Sequence, residues 1–180
     1  MIRLATVADV PEILEIYKPY ILHTAITFEY DIPTLSQFEA RFLDVTSRCP
    51  WLVWEENGSV LGYAYAHPAF ERAAYQWAAD LAIYLAPEAQ GKGIGKALYQ
   101  VLTQLLTKQG YQLAYGVVTS ANEKSCRFHE ALGFVKQAQF PDCGYKFDQW
   151  YGTIWYEKRL TEEPPTAPPI PFPQLKGDLL

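Results

Sequence analysis

One stretch of the chain decides its fold: Ala86-Pro87-Glu88-Ala89-Gln90-Gly91-Lys92-Gly93-Ile94-Gly95-Lys96-Ala97-Leu98. An apolar run precedes it and a long run of apolar residues at helical spacing follows, which predicts a glycine-rich turn between a strand and a helix. Such a turn directs free backbone N–H groups and the positive end of the helix dipole at one point. The missing Cβ atoms let an anion approach closely. The stretch therefore predicts a phosphate or pyrophosphate site.

A glycine cluster of this kind also occurs in structures without a phosphate site. A plain loop ahead of a helix is the simplest case, because short glycine motifs often arise by chance. A Walker loop needs Ser or Thr after Gly-Lys, but Gly93 follows Lys92. A dinucleotide-binding fingerprint needs a third glycine where Lys96 stands. Neither common nucleotide motif fits, and on this stretch alone the plain loop stays open.

The rest of the chain predicts alternating helices and strands. Apolar residues at helical spacing predict helices over 10–21, from 34, over 94–110 and over 122–133. Strands are predicted over 51–54, 60–66, 78–85, 113–118, about 134–140 and 149–159. This order of elements is typical of an α/β protein with a sheet of mixed direction, flanked by helices.

Composition limits the classes of partner. The chain has 180 residues, 49% of them hydrophobic, and a net charge of −5. This length suits one well-buried domain, and the negative charge disfavours binding to nucleic acid or to an anionic membrane. No apolar run is long enough to span a bilayer, and the polar start Met1-Ile2-Arg3-Leu4 does not resemble a signal peptide. We therefore expect a cytoplasmic protein with a small-molecule partner.

Cysteines and prolines complete the organisation. Cys49, Cys126 and Cys143 are odd in number and widely spaced, which favours reduced, structural thiols and neither a disulfide framework nor a metal site. Prolines crowd residues 161–180, where they remove backbone donors and disfavour regular structure. We expect a domain over 1–160 and a flexible proline-rich tail over 161–180 with no function of its own.

Two motifs resemble the GNAT superfamily of N-acetyltransferases. Its pattern Gln/Arg-x-x-Gly-x-Gly/Ala is matched by Gln90-Gly91-Lys92-Gly93-Ile94-Gly95. Its second signature, a helix ending in Leu-Gly-Phe, is matched by Asn122-Glu123-Lys124-Ser125-Cys126-Arg127-Phe128-His129-Glu130-Ala131-Leu132-Gly133-Phe134. Two further stretches are similar to the phosphinothricin acetyltransferase group of that superfamily: Arg72-Ala73-Ala74-Tyr75-Gln76-Trp77 and Gly144-Tyr145-Lys146-Phe147-Asp148-Gln149-Trp150.

This resemblance implies the GNAT acyl-CoA N-acyltransferase fold over residues 1–160, with acetyl-CoA as cosubstrate. The family's pyrophosphate site corresponds to the cradle residues Gly91, Lys92, Gly93, Ile94, Gly95 and Lys96. The strand end that bonds the pantetheine arm corresponds to Ile83, Tyr84 and Leu85, and Asn122 matches a cofactor-contacting Asn. A helix cap is the structural alternative for Asn122.

Two residues are candidates for proton transfer. Asp80 interrupts an apolar strand, where an unpaired carboxylate would be costly to bury, so it should face a wet cleft. The family has a Glu there as general base, acting directly or through water, and a structural ion pair is the alternative. His129 is expected to point inward, and the resemblance implies that it protonates the departing thiolate. A hydrogen-bonded core histidine is the competing interpretation.

The resemblance also implies which residues hold the acceptor. Arg72 and Tyr75 match substrate-holding positions, and the planar guanidinium of Arg72 suits a carboxylate. Phe28 and Lys146 are further candidates for that pocket. His23 and His67 are expected to be structural or to line the substrate site, and no metal site is expected.

We therefore expect an N-acetyltransferase that acts on a small amino-acid-like amine, of the phosphinothricin, methionine sulfone or methionine sulfoximine type. The resemblance further implies a homodimer. Two alternatives remain: acetylation of a protein N-terminus or a polyamine, and a CoA-binding regulatory module without turnover. The expected repulsion of a cationic chain by Arg72 disfavours a polyamine, and Asp80 and His129 disfavour a module without turnover.

Overall fold

The structure is a computed structural model that describes residues 1–175. Within these residues the strands are β1 (Ile2–Leu4), β2 (Trp51–Glu56), β3 (Ser59–Pro68), β4 (Ala78–Leu85), β5 (Leu113–Thr119), β6 (Val135–Lys146) and β7 (Gln149–Arg159). The α-helices of the same range are α1 (Val10–His23), α2 (Leu35–Thr46), α3 (Ile94–Gln109) and α4 (Glu123–Ala131).

The strands form one sheet in the order β1-β2-β3-β4-β5-β7-β6. Neighbouring strands are antiparallel, except that β4 and β5 are parallel. Side chains of a strand alternate between faces, so β2 directs Trp51 and Val53 toward α1 and α2, and Leu52 toward α3. Two apolar cores therefore cover the two faces, and the predicted mixed α/β sheet is confirmed.

Helix ends follow the predicted signals. At the start of α2 the Gln37 amide N–H donates to the Thr34 hydroxyl, and the Thr34 N–H donates to the Gln37 side-chain oxygen. This reciprocal pair is the capping box that the sequence predicts. At the end of α3, Gly110 has a φ of 98°, a left-handed conformation that glycine adopts without steric cost.

One gap in the sheet positions the site. β4 and β5 pair only over Ala78–Asp80 and Leu113–Tyr115, although β4 continues to Leu85 and β5 to Thr119. β5 keeps its full pairing with β7 on its other side. The second halves of β4 and β5 therefore diverge, and a wedge-shaped opening separates them in the middle of the sheet.

Two strands differ from the prediction. The sequence does not predict β1, because this strand has three residues and residues 5–50 separate it from its partner, β2. The predicted end of β6 is near residue 140, but the strand continues to Lys146 through Pro141 and Gly144, with an irregular register between Phe140 and Gly144. As an edge strand, β6 tolerates a proline and a break in its hydrogen-bond ladder.

Part of the expected tail lies on the domain. The Trp77 indole N–H donates to Ala167 C=O at 3.0 Å, and the Phe172 N–H donates to Arg48 C=O at 2.9 Å. Phe172 also packs against the core on the α3 face. Residues 161–175 thus include contacts that the composition does not predict, and residues 176–180 of the expected tail lie outside the described residues.

Candidate active site

Asp80 lies where the gap opens. It is the third residue of β4 and the last to pair with β5, and on its other side it lies opposite His67 of β3. Its Oδ2 is 3.6 Å from His67 Nε2. Its Oδ1 is buried and has no hydrogen-bond partner in the described part of the chain. The carboxylate is therefore held in place while one oxygen stays available to a bound group.

Burial sets the protonation of Asp80. Desolvation raises the pKa of Asp80 to about 6, and the charge of a protonated His67 imidazole acts in the opposite direction. The side chain is 25% exposed, so it reaches the cleft while it is largely withdrawn from water. At neutral pH the group is mainly a carboxylate of raised basicity, and its Oδ1 has no hydrogen-bond partner in residues 1–175, which is what a general base requires.

His129 lies on α4 and is 3% exposed. Its Nδ1 is 2.8 Å from the Ser125 carbonyl oxygen, and its Nε2 is 3.3 Å from the Tyr99 hydroxyl. A carbonyl oxygen can only accept, so in the neutral ring Nδ1 carries the proton and Nε2 accepts from Tyr99. Burial lowers the pKa of His129, which favours this neutral form. The Tyr99 hydroxyl hydrogen is therefore directed at His129 Nε2, and this ring nitrogen carries no proton of its own.

A cavity of about 200 Å³ joins these groups. Its walls come from the diverging halves of β4 and β5, the end of β3 and the start of α4. The predicted residues among its lining are Asp80, Ile83, Tyr84, Asn122 and His129. We call this cavity the cleft. The structure thus brings together both candidate proton-transfer residues and three candidate cofactor residues.

The glycine turn has the shape that an anion site requires. Gly91 has a φ of 73° and Gly93 a φ of 79°, and a Cβ built on either glycine would meet no atom within 4 Å. The space above the turn is therefore open. Gly93 immediately precedes α3, and no side chain caps this helix end, so its first amides have no side-chain partner. Lys92 and Lys96 are exposed beside these amides.

Gly95 has a different role in the same turn. A Cβ there would lie 3.3 Å from Ile83 and 3.4 Å from Phe128, so the glycine lets α3 pack closely against β4 and α4. Ile94 is buried in the α3 core. Within the candidate cradle, Gly91 and Gly93 thus leave room for a ligand, while Ile94 and Gly95 fix the helix beneath it.

Leu85 and Asn122 make contacts within the protein. The Tyr20 hydroxyl donates to Leu85 C=O at 2.6 Å and accepts from Leu85 N–H at 3.3 Å. Leu85 does not line the cleft, and its peptide groups are occupied by α1. Asn122 caps α4, since its Oδ1 accepts from Ser125 N–H at 3.2 Å. Asn122 therefore caps α4 and also lines the cleft.

A larger cavity of about 670 Å³ adjoins the cleft, and Tyr65 and His67 line both. Arg72 lines this cavity and is exposed, and its guanidinium makes no hydrogen bond or ion pair within residues 1–175. Arg41 and Arg48, which also line it, are paired with Glu29 at 2.7 Å and with Asp44 at 2.9 Å. Arg72 is thus the cavity arginine with its guanidinium available to an anion.

The other candidate acceptor residues lie elsewhere. Tyr75 is 49% exposed and packs on Phe70, with 4.7 Å between ring centroids. Phe28 lies over Gly144, where a Cβ would collide with its ring. Lys146 is 2% exposed, and its ammonium donates to the carbonyls of Ile21, Thr24 and Thr27 at 2.7, 2.8 and 2.9 Å. The structure places none of these three side chains on either cavity, and Lys146 instead ties β6 to the end of α1.

This chain matches a known protein family. The family model described as an acetyltransferase (GNAT) domain matches residues 2–155, which include the cleft, the cradle and Arg72. The chain belongs to the GNAT family. It is an N-acetyltransferase by this membership.

Individual relatives indicate which group within the GNAT family this chain resembles. A phosphinothricin N-acetyltransferase of Streptomyces viridochromogenes is 31% identical over 97% of this chain and 95% of its own length. An L-methionine sulfoximine/L-methionine sulfone acetyltransferase of Salmonella typhimurium is 34% identical over 89% of this chain and 95% of its own. A crystal structure of a Sinorhizobium meliloti GNAT phosphinothricin acetyltransferase in complex with AcCoA superposes with a TM-score of 0.90, at 35% identity and 98% coverage of both chains. The resemblance to the phosphinothricin acetyltransferase group is confirmed.

Two residues of this GNAT site, Tyr65 and Tyr99, are not predicted from the sequence. Tyr65 and Tyr99 belong to apolar patterns of β3 and α3, and nothing local distinguishes them from core residues. For His67 the sequence predicts only a structural or substrate-lining place, and it is the register of β3 against β4 that sets it beside Asp80. Its polarity near a strand end is the one signal available in the sequence.

Neither a membrane-crossing helix nor a cluster of metal ligands is found in residues 1–175. No helix there is both long and apolar enough to cross a membrane. Nor does that range contain a group of three or more His, Cys, Asp and Glu side chains placed to hold a metal ion.

Proposed function

We propose that this GNAT enzyme transfers the acetyl group of acetyl-CoA to the amino group of a small amino-acid-like acceptor. One observation carries the proposal: the Asp80 carboxylate, whose Oδ1 has no hydrogen-bond partner in residues 1–175, lines the cleft, and the adjoining cavity presents the free guanidinium of Arg72. An acceptor that binds both groups needs a carboxylate and an amine. The relatives named for phosphinothricin and for methionine sulfoximine and sulfone support this class of acceptor.

The cradle is fitted to the donor. The open space above Gly91 and Gly93 and the uncapped start of α3 suit a pyrophosphate, and Lys92 and Lys96 add positive charge. Acetyl-CoA supplies the thioester and, when bound, the pyrophosphate that these groups would hold. Ile83 and Tyr84 lie on the half of β4 that does not pair with β5. We propose that they border the rest of the donor.

Three groups then handle protons. The acceptor nitrogen forms a bond to the acetyl carbonyl carbon as the carbon–sulfur bond breaks, and the nitrogen loses one proton. Asp80 receives that proton, directly or through water. We assign the return of a proton to the thiolate to the Tyr99 hydroxyl, which His129 Nε2 holds in place and which turns its hydrogen from Nε2 to the sulfur; water then restores the hydroxyl proton.

Arg72 favours one class of acceptor over another. A planar guanidinium binds both oxygens of a carboxylate, whereas it repels the cationic chain of a polyamine. Phosphinothricin, methionine sulfone and methionine sulfoximine combine an amine with a carboxylate. We propose them as analogues of the acceptor. The experiment below distinguishes this proposal from acetylation of a protein N-terminus.

We further propose a homodimer in the cytoplasm. The edge strand β6 and its turn to β7 expose four aromatic side chains, Phe140, Tyr145, Phe147 and Trp150, which are 46–60% exposed. A second copy of this surface would cover them. Cys49, Cys126 and Cys143 are free thiols, which suits a reducing compartment.

Thiol release from acetyl-CoA tests the acceptor class. Wild-type enzyme is incubated with L-methionine sulfone, L-methionine sulfoximine and phosphinothricin, with spermidine, and with a peptide that has a free N-terminus. We expect turnover with the amino-acid analogues, and we expect Arg72→Ala to raise KM for them by about tenfold or more without a comparable change for acetyl-CoA.

Arg159→Ala removes an exposed arginine at the end of β7, outside both cavities, and serves as the control. Turnover only with spermidine or the peptide would contradict the proposed acceptor. Turnover with no amine, together with normal acetyl-CoA binding, would instead favour a regulatory module.

A further inference from the structure

A buried glutamine binds the C-terminal segment. Gln109, the last residue of α3, is 1% exposed. Its backbone C=O accepts from Ile170 N–H at 2.7 Å, and its side-chain NH₂ donates to Ile170 C=O at 2.7 Å and to Arg48 C=O at 2.8 Å. Both peptide groups of Ile170 are thus bound by a single residue.

The sequence of the segment suits this contact. In Pro168-Pro169-Ile170-Pro171 the prolines lack a backbone N–H, so Ile170 is the residue of this run that can donate. That donor is the one bound by Gln109. The prolines also fix their own φ angles, so the segment loses little conformational entropy when it lies on the domain.

Further anchors lie on either side of Ile170. Trp77 binds the carbonyl of Ala167, Arg48 binds the amide of Phe172, and the Phe172 ring packs on the core. We call residues 167–172 the strap. It connects Trp77 just before β4, Gln109 at the end of α3 and Arg48 after α2, and of these three residues Arg48 lines the larger cavity.

The strap is also a wall of that cavity. Pro169, Ile170 and Pro171 line it together with Tyr65 and Arg72. The strap thus adds apolar surface to a cavity that also presents the exposed side chains of Arg72 and Glu71, neither of which is paired within residues 1–175. An acceptor with its carboxylate on Arg72 could rest its side chain against this surface.

From these contacts we infer that the strap is a specificity-determining part of the acceptor site, and that Gln109 positions it. The inference rests on the function proposed above, because it takes the larger cavity to be the place of the acceptor. It assigns to the strap the binding of an apolar or sulfur-containing acceptor side chain. The donor site, on the cradle, should not depend on it.

A full-length variant tests this inference with a matched control. Gln109→Met keeps the volume of the side chain and removes the donors that hold Ile170 and Arg48. Gln104→Met makes the same change at an exposed glutamine of the same helix. With L-methionine sulfone as acceptor, we expect Gln109→Met to raise KM about tenfold and to leave KM for acetyl-CoA within about twofold. Gln104→Met should match the wild type.

Truncation gives an independent measurement. A chain that ends at residue 166 lacks the strap, whereas a chain that ends at residue 175 keeps every contact described above. The shorter chain should show the same rise in KM for L-methionine sulfone, and the longer one should not. KM for acetyl-CoA in each chain reports whether the donor site is intact.

The outcomes distinguish failure of the role inferred for the strap from failure of the proposed function. Unchanged acceptor KM in both Gln109→Met and the 1–166 chain would overturn the role of the strap and leave the proposed function intact. An equal rise in both KM values would also overturn it, since the strap would then only stabilise the fold. Failure of the wild-type chain to acetylate L-methionine sulfone or any other amino-acid analogue would overturn the proposed function and the inference with it.

Discussion

Asp80 and His129 are two buried titratable groups in one cleft, and burial favours the uncharged form of both. It raises the pKa of Asp80 to about 6 and lowers the pKa of His129. At neutral pH this leaves a carboxylate of raised basicity and a neutral ring that accepts a hydrogen bond from Tyr99. The environment of each residue thus suits it to one of the two proton transfers of an acetyl transfer.

The raised pKa of Asp80 predicts a stability cost. The native state binds the proton more tightly than the unfolded chain, whose Asp pKa is near 3.8, so the contribution of this group is greatest below pH 4 and is lost as pH rises through 6. Asp80→Asn removes the ionisation, so its stability relative to wild type should increase between pH 4.5 and 7.5, by about 2 kcal/mol.

Urea unfolding at the two pH values measures this difference, with Asp31→Asn in an exposed loop as the control. The stabilised Asp80→Asn enzyme should also lose activity by about two orders of magnitude or more, because an amide cannot accept the proton. A stability difference that is the same at both pH values would contradict the burial of an ionised carboxylate.

The cradle gives a second prediction at the scale of one residue. Gly93→Val places a side chain in the open space above the turn, so acetyl-CoA affinity should fall by about tenfold or more. Gly58 has a φ of 80°, close to that of Gly93, and also has open space around it, but it lies in the β2–β3 turn. Gly58→Val therefore carries the same backbone strain without obstructing the ligand.

Calorimetry with CoA measures both variants. Equal losses of affinity in Gly58→Val and Gly93→Val would show that backbone strain, and not the filled space, weakens binding.

How far the sequence determines these residues depends on where their partners lie. The glycine turn and Asp80 are predictable because their signals are local: a motif between a strand and a helix, and one acid in an apolar strand. The family resemblance makes Lys146 a candidate for the substrate pocket, but its carbonyl partners are 119 to 125 residues away at the end of α1. No pattern near Lys146 indicates that contact, because it forms only in the tertiary structure.

The same distinction holds at the scale of elements. The start of α2 and both ends of α3 are predictable, since capping residues and apolar spacing are local. β1 is not, because three residues carry no periodicity and the strand exists through its pairing with β2. The gap beside Asp80 follows from the register of β4 on β5, which no single strand encodes.

Helix α1 is linked to the cradle by Tyr20, and this link predicts an effect on the donor. The Tyr20 hydroxyl contacts both peptide groups of Leu85 and lies 3.4 Å from the Gln90 side-chain nitrogen. Tyr20→Phe removes these bonds and leaves the ring packed on Tyr84. We expect KM for acetyl-CoA to rise about threefold to tenfold, with KM for the acceptor little changed. Steady-state kinetics with each substrate varied in turn measures both KM values. A rise in KM for the acceptor, with KM for acetyl-CoA unchanged, would contradict the predicted link from Tyr20 to the donor site.

For the whole molecule, the exposed aromatic surface of β6 and β7 predicts self-association. Trp150 is 60% exposed, the most of the four aromatic side chains there. Trp150→Glu places a charge on a surface that a second copy would bury, so light scattering should show a monomer where the wild type is a dimer. Val7→Glu, at an exposed apolar residue near the other end of the sheet, should leave the mass unchanged. A wild-type monomer at micromolar concentration would exclude the proposed dimer.

The wedge between β4 and β5 has a consequence for hydrogen exchange. On the second half of β4, amide hydrogens that point toward β5 have no partner strand, although they lie in the middle of a seven-stranded sheet. Their deuterium uptake should be fast compared with that of β3. If the donor's pantetheine arm occupies the wedge, CoA should slow uptake in peptides covering 81–85, whereas L-methionine sulfone alone should not. Deuterium uptake by the least protected backbone of the central sheet would then show which substrate has bound.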